Sequence, residues 1–501
     1  MAKKDVKAAA PAQHGYEFGG PIVVSAFSVL LPLICYAFAF LCNDVSGCPA
    51  PTLLHPTRFS LDSLKKDVNW QGISHLINAQ SVIATLGWYF LSLVLNAVLP
   101  AQEVQGVKLR SGGRLKYRFN AFSSAMVIMG GCAVGTLLYG ADFPVWTFIW
   151  NNYVQILTCN ILISYFLATW TYVRSFSVKP NDPSHRELAQ GGHTGNILYD
   201  WFIGRELNPR ITLPFFGTID VKAWMELRPG MLGWILLDLA FIAHQYRTHA
   251  VVTDSILIVT FSQALYVLDA LYMEPAILTT IDIINDGFGF MLAFGDLAWL
   301  PFVYSLQARY LAVHPVVLGP LGCLGVFAVQ GTGYYIFRAA NNEKNRFRNN
   351  PDDPKVKHLT YIETEAGSRL LTSGWWGTAR HINYLGDWFM SWAYCLPTGI
   401  AGYIIKHNHP AHSASELDSI VGASIPGPGG LLMGRQPVGP AVVQGEARGW
   451  GMLVTYFFML YFAILLVHRE RRDEEKCRRK YGKDWERYCK EVPWRIVPGV
   501  Y

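Results

Sequence analysis

Gly449-Trp450-Gly451-Met452-Leu453-Val454-Thr455-Tyr456-Phe457-Phe458-Met459-Leu460-Tyr461-Phe462-Ala463-Ile464-Leu465-Leu466-Val467 carries no charge and runs directly into His468-Arg469-Glu470-Arg471-Arg472-Asp473. About 20 apolar residues in a helix cross the ~30 Å hydrocarbon layer, so this run reads as a membrane span. Cys477 and Lys480-Tyr481-Gly482-Lys483-Asp484-Trp485 follow. A basic, acid-punctuated, aromatic tail on such a span points to a phosphate-bearing ligand held at the membrane surface.

The same apolar signature recurs upstream. Runs near 21–42, 77–99, 121–141, 148–171, 231–250, 254–273, 287–305, 314–337, 385–405 and 449–467 give about ten expected spans and an all-α, polytopic membrane protein. Composition agrees, with 51% hydrophobic and 16% charged residues and a mean hydropathy of +0.21, too apolar for a soluble domain of this length. Trp146, Trp150, Trp234, Trp299 and Trp450 sit at run ends, where amphipathic rings favour the headgroup region; ordinary aromatic packing is the alternative.

Charge placement orients the chain. With a cytosolic start, segments 1–20, 100–120, 172–230, 274–286, 338–384 and 468–501 share one side and hold 34 of the 42 Lys and Arg residues. The positive-inside rule then predicts an even span count and two cytosolic termini. The formal net charge of +6 thus belongs to cytosolic loops, and no basic stripe accompanies a nucleic-acid-binding fold. The expected organisation is a short arm at 1–20, a first helical region at 21–230, and a ligand-binding half at 231–501 that includes the tail.

The nine cysteines form no zinc-type spacing, so no metal is expected. Cys42 and Cys48 flank the non-cytosolic end of the first span, where a disulfide or two free thiols are both open readings. The polar start and long first span predict an uncleaved anchor rather than a signal peptide. Neither a GxGxxG between strand and helix nor a GxxxxGK[ST] is present, so a nucleotide pocket has to be built from helices and loops.

Three stretches stand out. Gly195 to Arg210 reads G-N-I-L-Y-D-W-F-I-G-R-E-L-N-P-R, dense in Gly, charge and aromatics, and is either a structural connector or a ligand contact. Between Arg338 and Trp388, Lys344 and Arg348 lie four apart, on one face of a helix, and can grip a single phosphate. Trp376 and Tyr384 offer flat ring faces and Asn383 an amide; a solvated basic loop is the alternative. In the tail, Arg469, Arg472, Arg478, Arg479 and Lys480 can neutralise a ribose phosphate or pyrophosphate, or instead meet anionic lipid.

Within the apolar background, Gln263 to Asp296 holds Tyr266, Asp269, Tyr272, Glu274, Asp282, Asn285, Asp286 and Asp296 with no Lys or Arg among them. Acids at bilayer depth without cationic partners stay protonated and can donate a proton. Tyr266, Asp269 and Tyr272 follow at intervals of three, making neighbours on a helix. Helix capping or cytosolic exposure of some of these acids is the competing reading.

Gly195–Arg210, as G-x-x-L-Y-D-x-F-x-G-x-x-L-N-P-R, and His468–Trp485, as H-R-x-x-R-D-x-x-x-C-x-x-K-Y-G-x-D-W, resemble the two signatures of the sterol reductase family. Asn43 to Pro49 and Asp282 to Asp296 resemble its fungal branch acting at C14. The arm is too short for the chromatin-binding domain that one relative, the lamin B receptor, carries, and 423–440 resembles a lineage insertion. The resemblance implies NADPH-dependent reduction of a sterol C14=C15 bond in the endoplasmic reticulum membrane. Its partners would be a sterol substrate, the lipid bilayer and other enzymes of sterol biosynthesis. It also implies NADPH contacts from Lys344, Arg348, Leu371, Trp376, Asn383, Tyr384, Arg469, Asp473, Cys477, Arg478, Arg479, Lys480 and Tyr481.

An isolated alkene accepts hydride only after protonation, so an acid is required beside the cofactor. Tyr266, Asp269, Asp282 and Asp286 are the candidate catalytic residues. A sibling reductase acting at C7 or C24(28), or a non-catalytic sterol-binding scaffold, are the rival expectations.

Overall fold

The computed structural model describes residues 16–43, 50–179, 184–399 and 452–501. It is mainly helical, with three two-stranded antiparallel hairpins. Six helices are long and apolar enough to cross a membrane: α1 (Gly20–Leu41), α2 (Ile73–Val98), α3 (Ala121–Asp142), α4 (Tyr153–Ser175), α5 (Val221–His249) and α6 (Asp254–Tyr272). They coincide with the first six expected spans.

The remaining four expected spans are helical where described, but less regular. Residues 287–305 hold Phe290–Phe294, a π-helical turn at Gly295–Trp299 and Leu300–Tyr304. Residues 314–337 fall in α7 (Gly319–Asn349), which continues into a charged end. Ile382–Cys395 forms α8, and residues from 400 to 451 lie outside the described set. The run that ends at Val467 continues without a break into the tail as α9 (Phe457–Tyr481). Gly482 caps it at a φ of +50°, and α10 (Lys483–Glu491) follows. Cys48 is also outside the described residues, so the Cys42–Cys48 question is not addressed.

The chain forms two compact units. One comprises residues up to Leu41, Asn69–Ala240 and Leu265–Ser305; the other comprises Cys42–Val68, Phe241–Ala264 and residues from Leu306 onward.

In the first unit, the core gathers Tyr89, Leu167, Val221, Trp224, Phe288 and Leu297. Hairpins β1–β2 (Gln102–Lys108, Arg114–Phe119) and β3–β4 (Arg210–Leu213, Gly217–Asp220) flank it in sequence. The Gly195–Arg210 signature folds as a self-bonded loop. Asp200 accepts hydrogen bonds from Thr194 N and Oγ1 at 2.8 Å each and from Gly195 N at 3.0 Å. Buried Glu206 accepts from Arg186 Nε and Nη2 at 2.9 Å each. Gly204, at a φ of +96°, packs so close to the backbone of Gly287 and Gly289 that an added Cβ would come within 2.4 Å of each. Only glycine serves there.

In the second unit, α7 and α8 cross at Gly333 and Gly386. A Cβ on either residue would sit within 2.7 Å of the other's carbonyl oxygen, so two glycines are needed for the helices to meet. Beyond the crossing, Ala340, Phe347, Leu359, Leu371, Trp376 and Ile382 form a core, and Trp485 and Tyr488 from α10 join Ile362 in another. Hairpin β5–β6 (Tyr361–Glu363, Arg369–Leu371) supplies Leu371 and Ile362.

Candidate functional site

The second unit draws much of the expected cofactor set onto facing surfaces of α7, α8 and α9. On α9, Arg469, Asp473, Cys477 and Tyr481 recur every four residues and therefore share a face. Tyr384 Oη on α8 donates to Asp473 Oδ2 at 3.2 Å. Lys344 Nζ on α7 lies 3.7 Å from the centroid of the Trp376 ring, and Trp376 Nε1 donates to Ala340 O at 2.7 Å. The Trp376 face expected to be open is thus already covered by an ammonium, a favourable cation–π arrangement. One face of Tyr384 stacks on His381, with centroids 5.1 Å apart.

This environment is electrostatically tuned. Burial, with Arg348 nearby, lowers Lys344 to about 8, while Asp473 and Cys477 pull the other way. Burial also raises the Cys477 thiol to about 11, so it is not a thiolate at neutral pH. The Tyr384 hydroxyl is pushed up by burial and then by Asp473. His381 falls to about 3, again through burial and then the positive charge of Lys344, Arg380 and Arg495, so its imidazole is neutral.

The arrangement has unused hydrogen-bonding capacity. His381 Nε2, just before α8, and Asn383 Oδ1, Asp387 Oδ1 and Trp388 Nε1 on it are buried and make no hydrogen bond among the described residues. Buried polar atoms rarely stay unpaired in a finished structure, so a polar ligand or water fits beside them. Cationic Lys344 and exposed Arg348, the amide of Asn383 and the rings of Tyr384 and His381 match a ligand bearing phosphate, amide and aromatic groups.

Other expected contacts lie differently. Arg478 pairs with Glu474 at 3.7 Å, and Arg479 pairs with Glu475; both arginines are exposed, turned away from the face of Asp473. Lys480 is exposed above the Tyr481 ring, and Leu371 is a core residue.

Sequence reading missed a supporting frame. Arg380 donates to Val492 O at 2.7 Å and pairs with Glu474 at 3.3 Å, while Trp485 Nε1 also donates to Glu474, at 3.0 Å. Glu343 accepts from Trp375 N at 2.9 Å and braces the turn carrying Trp376. The signal available was Glu343 beside Lys344 and Glu474 beside Asp473, acids adjacent to nominated residues.

The candidate proton donors belong to the first unit. Tyr266 and Asp269 are half-buried on α6, with the Tyr266 ring 6.1 Å from that of Trp234. Tyr272 is 68% exposed and packs on Phe122, so α6 does not turn all three toward one pocket. The expectation that these acids lack cationic partners fails. Lys222, fully buried, donates to Asp286 O at 2.7 Å and to Asp282 O, and lies in the field of both carboxylates. Arg228 pairs with Glu274 at 3.5 Å, and burial raises Glu274 to about 7 against that pull. Both cations come from residues preceding the strip in sequence, which a scan of the strip alone cannot see. Among the described residues, no cluster of His, Cys, Asp or Glu has the arrangement of a metal site.

The chain is a mainly helical protein with six helices long and apolar enough to cross a membrane and with cationic, amide and aromatic side chains grouped on α7, α8 and α9. Residues 12–501 match the Ergosterol biosynthesis ERG4/ERG24 family, and the chain belongs to it. It is 58% identical to the Delta(14)-sterol reductase ERG24A of Gibberella zeae over the full length of both chains. It is 56% identical to the Delta(14)-sterol reductase of Septoria lycopersici, covering 100% of this chain and 99% of that one. It is also 56% identical to the Delta(14)-sterol reductase of Neurospora crassa, covering 99% and 98% respectively.

Proposed function

We propose that this protein is a Δ14-sterol reductase, reducing the C14=C15 double bond of a sterol intermediate with NADPH in the endoplasmic reticulum membrane. What supports the reading is the α7–α8–α9 face in a chain full-length similar to proteins of that name. In this reading Lys344 and Arg348 bind the phosphate, Asn383 takes the amide, and Tyr384 with Asp473 holds the ring in place. NADPH, when bound, supplies the hydride for C14. The ten-span topology with cytosolic termini, and a sterol- and cofactor-binding half at 231–501, belong to the same proposal.

Protonation at C15 leaves a tertiary cation at C14, which hydride then quenches. We assign the proton to the Tyr266–Asp286 strip, with Asp269 as the favoured source and Tyr266 as relay, and with Asp282 and Asp286, which the Lys222 ammonium holds toward the carboxylate form, behind it. Aromatic faces and carboxylates nearby would stabilise the cation electrostatically. Full turnover retained by Asp269→Asn, Asp282→Asn and Asp286→Asn alike would remove that assignment.

The whole reading is tested by sterol profiling, by gas chromatography and mass spectrometry, of cells lacking their own Δ14-reductase. Expressing the intact chain is expected to clear the accumulated Δ14-sterols, and Lys344→Ala is expected not to. Unchanged Δ14-sterols with good expression would shift the assignment to C7, C24(28) or a scaffold.

A further inference from the structure

Hairpin β1–β2 joins the ends of α2 and α3, so it lies at the membrane surface. Its alternation splits the charge from the cavity. Arg114, Lys116 and Arg118 are exposed on one face, whereas Leu115 and Tyr117 are buried on the other and line a cleft in the first unit. Lys108 and Arg110 stand at that cleft, and Glu187, Asn208 and Asn285 line it from loops that the positive-inside pattern assigns to the same side of the membrane.

Two observations make this more than a basic patch. Asn208, nine-tenths buried, lines the cleft with an Oδ1 that makes no hydrogen bond among the described residues. Charge is also unbalanced: Glu187 pairs with Arg110 at 3.7 Å and accepts from Ser111 N at 2.7 Å, while exposed Lys108 has no ion pair among the described residues. A surplus cation at the mouth and amide groups within suit an anion that also carries hydroxyls, and the apolar Leu115 and Ile283 suit the carbon chain behind it.

We propose that this cleft binds the phosphate-ester headgroup of an anionic phospholipid, with Lys108 on the phosphate and Asn208 on headgroup hydroxyls. It takes no part in the reduction, and it stands or falls independently of the activity. Juxtamembrane cations attract anionic headgroups, and the cleft adds selectivity to that general field.

The test is native mass spectrometry of the whole protein released from nanodiscs of phosphatidylcholine with or without phosphatidylinositol. The intact chain is expected to retain phosphatidylinositol over phosphatidylcholine. Lys108→Glu should cut retention roughly tenfold or more, because it reverses one charge at the mouth. Asn208→Ala should reduce it severalfold, and Lys116→Glu, at a residue that does not line the cleft, should matter least. Because Asn208 lies in a tightly bonded loop, Lys108→Glu at an exposed position keeps the test valid if Asn208→Ala does not fold. Equal retention of the two lipids would overturn the proposal, as would equal losses from Lys116→Glu and Lys108→Glu. Binding of inorganic phosphate alone, with no lipid preference, would overturn the lipid assignment.

Discussion

Lys222 and Lys344 are both enclosed lysines, one in each compact unit, yet they do opposite things with their charge. Lys222 gives its protons to the backbone carbonyls of Asp282 and Asp286 and is surrounded by Asp220, Glu226, Asp282 and Asp286. Lys344 lies over Trp376, in the field of Asp473 and Cys477, and makes no hydrogen bond among the described residues. A saturated buried ammonium is a rivet, because removing it strands carbonyls and carboxylates. An ammonium held over a ring has kept its donors for something else.

The largest expected effect is therefore on folding. Lys222→Met removes the rivet and leaves buried acids uncompensated, costing roughly 3–5 kcal/mol, as broken buried ion pairs do. Folded yield in detergent should collapse, or the thermal transition should fall by many degrees. Lys344→Met should melt close to the parent while its NADPH dissociation constant, by fluorescence titration, rises about 10- to 100-fold, the worth of one charge-assisted bond. If Lys344→Met instead fails to fold, the contrast between the two lysines is lost.

A pH series sharpens the same contrast. Lys344 titrates near 8 in the folded protein and near 10.5 unfolded. Its positive charge is present below about 8 and lost above, so NADPH affinity should be level through neutrality and fall as pH rises past about 8. Stability moves the other way: between about 8 and 10.5 the unfolded chain holds the extra proton, so this residue's contribution to stability increases with pH. Lys344→Arg, charged throughout, should flatten the alkaline loss of affinity, while an unchanged profile would remove Lys344 as its origin.

How far the sequence carried can be read from these residues. The six long apolar helices were legible because length and apolarity are local properties. Lys344, Asn383, Tyr384 and Asp473 were legible from motif resemblance and helical spacing. The partners of Asp282 and Asp286 were not, since Lys222 is some 60 residues away in sequence and only the fold brings it near. The Gly195–Arg210 signature was ambiguous for the same reason. Its Gly204 is explained by Gly287 and Gly289, and its Asp200 by its own loop, a structural account no local pattern supplies. The break in the helix at 290–304 was not legible, because a π turn at Gly295–Trp299 leaves no mark on an apolar run.

The smallest predicted effect probes the support of the cofactor face rather than the face itself. Residues Val492–Tyr501 fold back on the start of α8: Arg380 N donates to Trp494 O at 2.9 Å and His381 N to Arg495 O at 2.7 Å. Tyr501 O in turn accepts from Arg495, Ile496 and Val497 N, and Tyr501 Oη donates to buried Glu470 at 3.1 Å. Glu470 sits on α9 one residue from Arg469, and Arg495 also reaches it, at 3.4 Å. The segment therefore fixes where His381, Asn383 and Tyr384 stand against α9 without itself being a nominated contact. Tyr501→Phe removes one hydrogen bond to a charged acceptor, about 1.5 kcal/mol or less at a half-exposed site. The KM for NADPH should rise two- to fivefold while kcat stays within twofold, since the reacting groups are unchanged. A fall in kcat at unaltered KM would mean that this segment acts on the chemical step and not on positioning.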